Sequence, residues 1–237
     1  MPQAQSDHNP DINPEQQQER TVKRLAAGFQ RFKKRWYCAE NNLYANLAEG
    51  QNPLALVIAC SDSRVDPVLL TDSCPGDLFV IRNVANIVPP YAPDGNYHGV
   101  SAALEFAVRY LKVSDIIVMG HAECGGIQSL LDEAQPQHNE FLSIWMQVIH
   151  RARDIVNHRL PNASPEERRR ACEKWGIRIS MENLLTFPWV RQAVEQGQLE
   201  LHGWYFDLKK GELLQWVKSQ DEFLPLVPPH FSLSDEP

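Results

Sequence analysis

Three short apolar runs, Leu54–Ala59, Leu78–Arg82 and Ile116–Met119, alternate with stretches of helical spacing, and no other feature restricts the fold as much. Continuous apolar runs of strand length read as strands buried on both faces. Between the first two, Asp66-Pro67 opens a short helix with Val68, Leu69 and Leu70 as its apolar face and proline at the tolerated first position. Between the last two, Val100, Ala103, Leu104, Ala107, Val108 and Leu111 recur at helical steps. A further helix starts at Ile127, directly after Gly125-Gly126. Strand–helix–strand–helix–strand over residues 54–134 implies a parallel sheet with right-handed crossovers.

The flanking segments complete an α/β architecture. Residues 1–18 are polar and read as a flexible arm. From Glu19 to about Leu47 the pattern is helical, with Val22, Leu25, Phe29, Phe32, Trp36 and Tyr37 on one stripe. That stripe packs either on the chain's own core or on a second subunit. After the sheet segment the chain is mainly helical. Phe141–Leu160 is amphipathic, Ser164-Pro165-Glu166-Glu167 opens another helix, and Pro188 starts a third that Gly197 ends. Leu199–Leu208 alternates and reads as an antiparallel edge strand, and the tail with Pro225, Pro228 and Pro229 as an irregular surface segment. The expected sheet has about four strands plus that edge strand, flanked by helices with an N-terminal helical arm. No composition break marks a second domain, so residues 19–237 read as one.

Two of the strands end in soft ligands. The first runs into Cys60-Ser61-Asp62-Ser63-Arg64, and the third into Gly120-His121-Ala122-Glu123-Cys124-Gly125-Gly126. Strand C-termini are where open α/β sheets bind ligands. Two thiolates and one imidazole form a zinc set that disfavours magnesium or calcium. Three protein ligands leave a fourth position open, which is the catalytic pattern; Cys38 and Cys74 lie outside the strand-end motifs. His121-x-x-Cys124 alone is compatible with an ordinary buried cysteine and a satisfied histidine; the first motif is what gives it weight. Asp62 and Arg64 alternate with Cys60 and can face the same way. An aspartate beside an arginine stays ionised and accepts hydrogen bonds, so Asp62 can orient a metal-bound hydroxide or occupy the fourth position itself. The alternative is an ion pair that stabilises the loop.

Charge and cysteine usage narrow the partners. The 237 residues carry 23 basic and 30 acidic side chains, a net charge of −7, which argues against nucleic-acid and anionic-membrane surfaces. No apolar run approaches the ~18 residues of a membrane span. Five scattered cysteines are an odd number and fit a reducing cytoplasm better than a disulfide framework.

Cys60-Ser-Asp-Ser-Arg64 followed by His121-x-x-Cys124-Gly-Gly126, with Arg82-Asn83-Val84-Ala85-Asn86 and Glu105-Phe106-Ala107-Val108 between them, resembles the β-class carbonic anhydrases, in their plant-like branch. The resemblance runs from about Gln51 to Leu131. It implies one zinc ion per subunit on Cys60, His121 and Cys124, and a catalytic dyad of Asp62 and Arg64. It implies reversible hydration of CO2 to bicarbonate and a proton, by zinc-bound hydroxide that Asp62 orients. It also implies a narrow substrate pocket of Gln51, Phe79, Val84, Phe106 and the Gly125 backbone, completed across the interface of a homodimer or larger homo-oligomer, with Gln51, Phe79 and Phe106 serving the partner subunit's zinc. Phe106 stands where that branch has a tyrosine, so a hydroxyl hydrogen bond is missing. Val57 stands where a second branch has the tryptophan of an inhibitory bicarbonate site, so no such site is expected.

Three rivals are distinguishable. A hydrolase of COS or CS2 would use the same scaffold. A non-catalytic zinc- or bicarbonate-binding regulator would lack Asp62 or Arg64, and both are present. A cysteine redox protein would want Cys-x-x-Cys, which the chain lacks.

Overall fold

The computed structural model of the chain describes residues 14–38, 43–132 and 140–227. Contacts divide the chain into two compact units, Met1–Gln51 and Asn52–Pro237. Among the described residues no helix is long and apolar enough to cross a membrane.

In the first unit, helix α1 spans Pro14–Trp36 and helix α2 spans Leu43–Leu47. The helical stretch expected from Glu19 to about Leu47 is two helices, and Asn41-Asn42, a break signal in the sequence, lies outside the described residues. Helix α1 begins at Pro14, so residues 14–18 of the expected flexible arm are helical. Proline at the first turn and the glutamines and glutamates after it account for that start; residues 1–13 lie outside the described residues. An aromatic cluster ties the two helices, with the Tyr44 ring 4.9 Å from Phe32, 5.6 Å from Tyr37 and 6.2 Å from Trp36. Val22, Leu25 and Phe29 are 61%, 66% and 63% exposed.

The second unit is built on a six-stranded sheet in the order β2-β1-β3-β4-β5-β6. The strands are β1 (Ala55–Cys60), β2 (Leu78–Asn83), β3 (Asp115–His121), β4 (Glu200–Asp207), β5 (Glu212–Val217) and β6 (Glu222–Pro225). The first four run parallel and the last two antiparallel. Every residue of β1 is buried, because helices cover one face and Leu70, Leu78 and Trp204 close over the other.

Strand β4 is not the antiparallel edge strand that its alternation suggests but an inner strand parallel to β3, with Asp115 opposite Glu200 and His121 opposite Phe206. Its alternation is real, Gly203 and Tyr205 being buried while Trp204 and Phe206 are half-covered. That half-covered face mimics an edge strand. The antiparallel edge is instead β5 and β6, in the stretch read as a turn and tail. Each is short, and the polar, charged stretch Lys218–Glu222 separates their apolar residues. Pro225 ends β6 on the outer edge, where its missing N–H costs no ladder bond.

The helices fix where the strand ends point. Helix α3 (Pro67–Leu70) is capped by Asp66, whose carboxylate accepts from the Val68 and Leu69 amides. Helix α4 (Gly99–Glu105) continues as a π-helical segment, Phe106–Leu111, and Lys112 ends it in the left-handed region at φ 59°. Helix α5 (Gly125–Leu131) follows β3 directly. Helices α6 (Leu142–Met146), α7 (His150–Arg159), α8 (Pro165–Leu184) and α9 (Pro188–Glu195) lead to β4. Ser164 and Glu167 form a reciprocal capping box on α8. Helix α8 lies tight on the sheet: a Cβ on Gly203 would stand 2.6 Å from Met181 Sδ, and one on Gly120 2.8 Å from Ile177 Cδ1. Arg178 on α8 is stacked between the rings of Trp175 and Trp216, 3.8 and 3.9 Å from their centroids.

Candidate metal centre

The chain leaves β1 to form β2 on one side and then crosses to form β3 on the other. Beyond the carboxyl ends of β1 and β3 the connections diverge and open a crevice, the position where doubly wound sheets bind ligands. Cys60 ends β1 and His121 ends β3. Cys124 follows on a turn whose Glu123 is left-handed at φ 61°.

Cys60, His121 and Cys124 are buried, and their ligand atoms lie within 4.8 Å of one another. The two sulfurs are 3.9 Å apart. A hydrogen bond from Cys124 holds the Cys60 thiol well below its usual range, against the opposing effect of burial, and the Asp62 and Ala85 amides assist. Cys124 is pushed up correspondingly by the thiolate it serves, although the Gly126 and Ile127 amides at the start of α5 point at its sulfur. His121 Nδ1 donates to the Ala122 carbonyl at 2.8 Å, since a carbonyl can only accept. Its Nε2 therefore carries the lone pair; it is buried and has no hydrogen-bond partner.

Asp62 adjoins this trio, with Oδ2 4.0 Å from His121 Nε2. Arg64 holds it bidentately: Nε donates to Oδ1 at 2.9 Å and Nη2 to Oδ2 at 2.7 Å, and the Arg64 amide adds a third bond to Oδ1 at 2.9 Å. Those bonds hold the carboxyl well below the usual carboxylate range. Arg64 Nη2 also donates to the Glu123 carbonyl at 2.9 Å, joining the two strand-end loops.

Arg82, at the end of β2, holds the loop that carries Cys60 and Asp62. Its guanidinium donates to the carbonyls of Cys60 (2.8 Å), Asp62 (2.8 Å) and Val65 (2.7 Å) and to the Asp66 carboxylate (3.1 Å). The apolar run ending at Arg82 points to this sheet edge but not to this role. Glu173, which no sequence motif marks, is a carboxylate buried behind Cys124 that accepts its amide at 3.1 Å. A signal existed: Glu173 keeps helical spacing with Gly176, Ile177, Ser180 and Leu184, all buried on α8. The surrounding charges of Glu166–Lys174 make that face look solvated.

The expected pocket residues divide. Val84 and Gly125 lie beside the trio. Gly126 rather than Gly125 is the close approach: a Cβ there would stand 2.7 Å from Val84 Cγ1 and 3.0 Å from Ala85 Cβ, whereas none of the nearby atoms crowds position 125. Ala85 is left-handed at φ 63° and cannot readily yield. Gly126→Ala is expected to lower stability by about 1–3 kcal/mol, read as the midpoint shift in urea unfolding; an unchanged midpoint would mean the turn has slack. Phe79 is not brought to the trio of its own chain. It pairs with Leu56, and Asn83 pairs with Cys60, so Phe79 lies four residues back along β2, about 13 Å away. Phe106 is 5.9 Å from Phe79, ring to ring, and shares that location. Gln51 is exposed and closes the first unit.

Two thiols and an imidazole gathered at the switch point of a parallel sheet define an α/β protein able to hold one soft divalent ion. The carbonic anhydrase family model matches residues 55–213. The chain is 38% identical to β carbonic anhydrase 3 of Arabidopsis thaliana over 199 residues, 82% of this chain and 76% of that one. It is 43% identical to a carbonic anhydrase of Pseudomonas aeruginosa over 186 residues, covering 78% and 83%. Its fold matches the solved β-carbonic anhydrase CcaA with a TM-score of 0.80 at 34% identity, over 88% of this chain and 93% of that one. The tetrameric β-carbonic anhydrases of Sordaria macrospora match with a TM-score of 0.69 at 28% identity, covering 86% and 97%. The chain belongs to the carbonic anhydrase family, in its β class.

Proposed function

We propose that the chain binds one zinc ion per subunit on Cys60, His121 and Cys124 and catalyses the reversible hydration of CO2 to bicarbonate and a proton. The observation that carries this reading is His121 Nε2, a buried nitrogen with a lone pair, no partner, and two sulfurs beside it. The sulfurs' separation of 3.9 Å suits two ligands on one tetrahedral zinc, which stand about 3.8 Å apart for bonds of ~2.3 Å. When bound, the metal supplies the Lewis acidity that makes water a nucleophile near neutral pH.

The chain's own residues then have separate tasks. Asp62 is too acidic, under the pull of Arg64, to store a proton near neutrality. It acts as an acceptor that orients the attacking oxygen through that oxygen's hydrogen, with Arg64 fixing its plane. The intact Asp62–Arg64 pair favours this over Asp62 serving as a fourth ligand. Val84 supplies an apolar wall for a small nonpolar substrate.

Phe79, Phe106 and Gln51 complete the pocket of a partner subunit. Supporting this are the distance of Phe79 from its own chain's trio and the exposed Val22, Leu25 and Phe29 on α1. The tetrameric relatives agree with a homo-oligomer. The free state of all five cysteines fits a reducing, cytoplasmic setting.

The same scaffold could hydrolyse COS or CS2. Stopped-flow CO2 hydration and sulfide release, measured on one preparation, separate the readings. CO2 hydration with little sulfide release is expected; sulfide release without CO2 hydration would replace the proposed substrate.

A further inference from the structure

Helix α8 presents Arg169 and Glu173, one turn apart, to the turn that carries His121 and Cys124. Glu173 is 4% exposed, and both its oxygens are engaged. Oε1 accepts the Cys124 amide at 3.1 Å and Oε2 accepts the Tyr205 hydroxyl at 2.7 Å. Arg169 stands 3.9 Å from Glu173 Oε1, contacts the Glu123 carboxylate at 2.6 Å and donates to Gln128 Oε1 at 3.0 Å. Lys209 reaches the other oxygen of Glu123 at 3.3 Å.

The turn needs such a fixture. A glutamate held at φ 61° costs on the order of 1 kcal/mol, so a free turn would relax away from this geometry. Burying a carboxylate is itself costly unless several donors converge on it. Three groups converge on Glu173, and one of them is the amide of a cysteine in the trio. The contact sets the direction of Cys124 without touching its sulfur.

We propose that Glu173 is a positioning residue for Cys124 and that, with Arg169, it sets how tightly the turn holds its metal. This rests on the zinc reading above. Partners in the outer shell of a metal ligand are commonly worth 10–100-fold in affinity. The test measures zinc transfer from the purified full-length protein to a chromogenic chelator, alongside thermal unfolding of the metal-free form. Glu173→Ala is expected to release zinc on the order of 10–100-fold faster. Glu173→Gln keeps an acceptor for the Cys124 amide and a partner for Tyr205, and is expected to stay far closer to wild type. Should Glu173→Ala not fold, Tyr205→Phe removes one support of the same carboxylate and is expected to speed release to a smaller extent. A purely structural role would lower the unfolding temperature of the metal-free protein and leave zinc transfer unchanged. That result, or a Gln variant as leaky as the Ala variant, overturns the inference. A wild-type protein that holds no zinc overturns the proposed function and this inference together; unchanged variants of a zinc-loaded wild type overturn the inference alone.

Discussion

Asp62→Asn is expected to retain one zinc per subunit and to lose on the order of 10²-fold or more in CO2 hydration. The substitution keeps the shape of the side chain, and none of the three buried candidate ligands changes. It removes the charge that Arg64 grips through Nε and Nη2. It also puts an amide donor where the account requires an acceptor, so the attacking oxygen loses its orientation. The loss is expected at every pH from about 5 to 9, because the native carboxyl titrates well below the usual range. The sign is that of a depressed acid: the charged form is favoured in the folded state, its contribution is fully present above the unfolded pKa near ~3.9, and it fades as pH falls through the folded value. Stopped-flow hydration with metal analysis checks this. Activity close to wild type would remove Asp62 from the mechanism.

Arg82→Met is expected to lower stability by about 2–4 kcal/mol and to weaken zinc retention with it. The methionine keeps the aliphatic stem and deletes every donor. Three carbonyls of the Cys60–Val65 loop then lose a charged partner at 2.7–2.8 Å, and Asp66 loses its ion pair. Water can reach part of this surface, since the Arg82 side chain is 29% exposed, which limits the cost. Arg82→Lys is expected to recover only a minor share, because a single ammonium cannot span three carbonyls. Urea unfolding of the three proteins gives the comparison. A Met variant as stable as wild type would show that the loop holds its shape without the guanidinium.

How much of this could be read from the sequence depended on whether a residue's neighbours are local. Cys60 and His121 were legible because each ends an apolar run, and parallel strands bring such ends to one edge. Asp62 and Arg64 were legible as a pair because they are two residues apart, and the structure joins them bidentately. The direction of β4 was not legible. Whether a strand runs parallel or antiparallel depends on the long path that precedes it, here five helices among the described residues, and not on its own alternation. Strands β5 and β6 were hidden because each is short and the polar, charged stretch Lys218–Glu222 interrupts their apolar residues. Glu173 is marked only by its helical spacing with the buried Gly176, Ile177, Ser180 and Leu184, which the charges around it obscure. Phe79 and Phe106 show a different limit: only their resemblance to pocket residues completed across a subunit interface marks them, because nothing in their own spacing does. Of the paired glycines, the one at 126 faces Val84 and Ala85, and only three-dimensional packing tells it from the one at 125.

The central claim is that Cys60, His121 and Cys124 hold a zinc ion on which CO2 hydration depends. The most direct measurement removes metal from the purified protein with a chelator, restores zinc in measured steps and follows CO2 hydration at each step. The account predicts no hydration above the uncatalysed rate without metal, and activity that rises linearly and levels off at one zinc per chain. Hydration that survives complete metal removal, or a zinc-loaded chain that does not hydrate CO2, would contradict it.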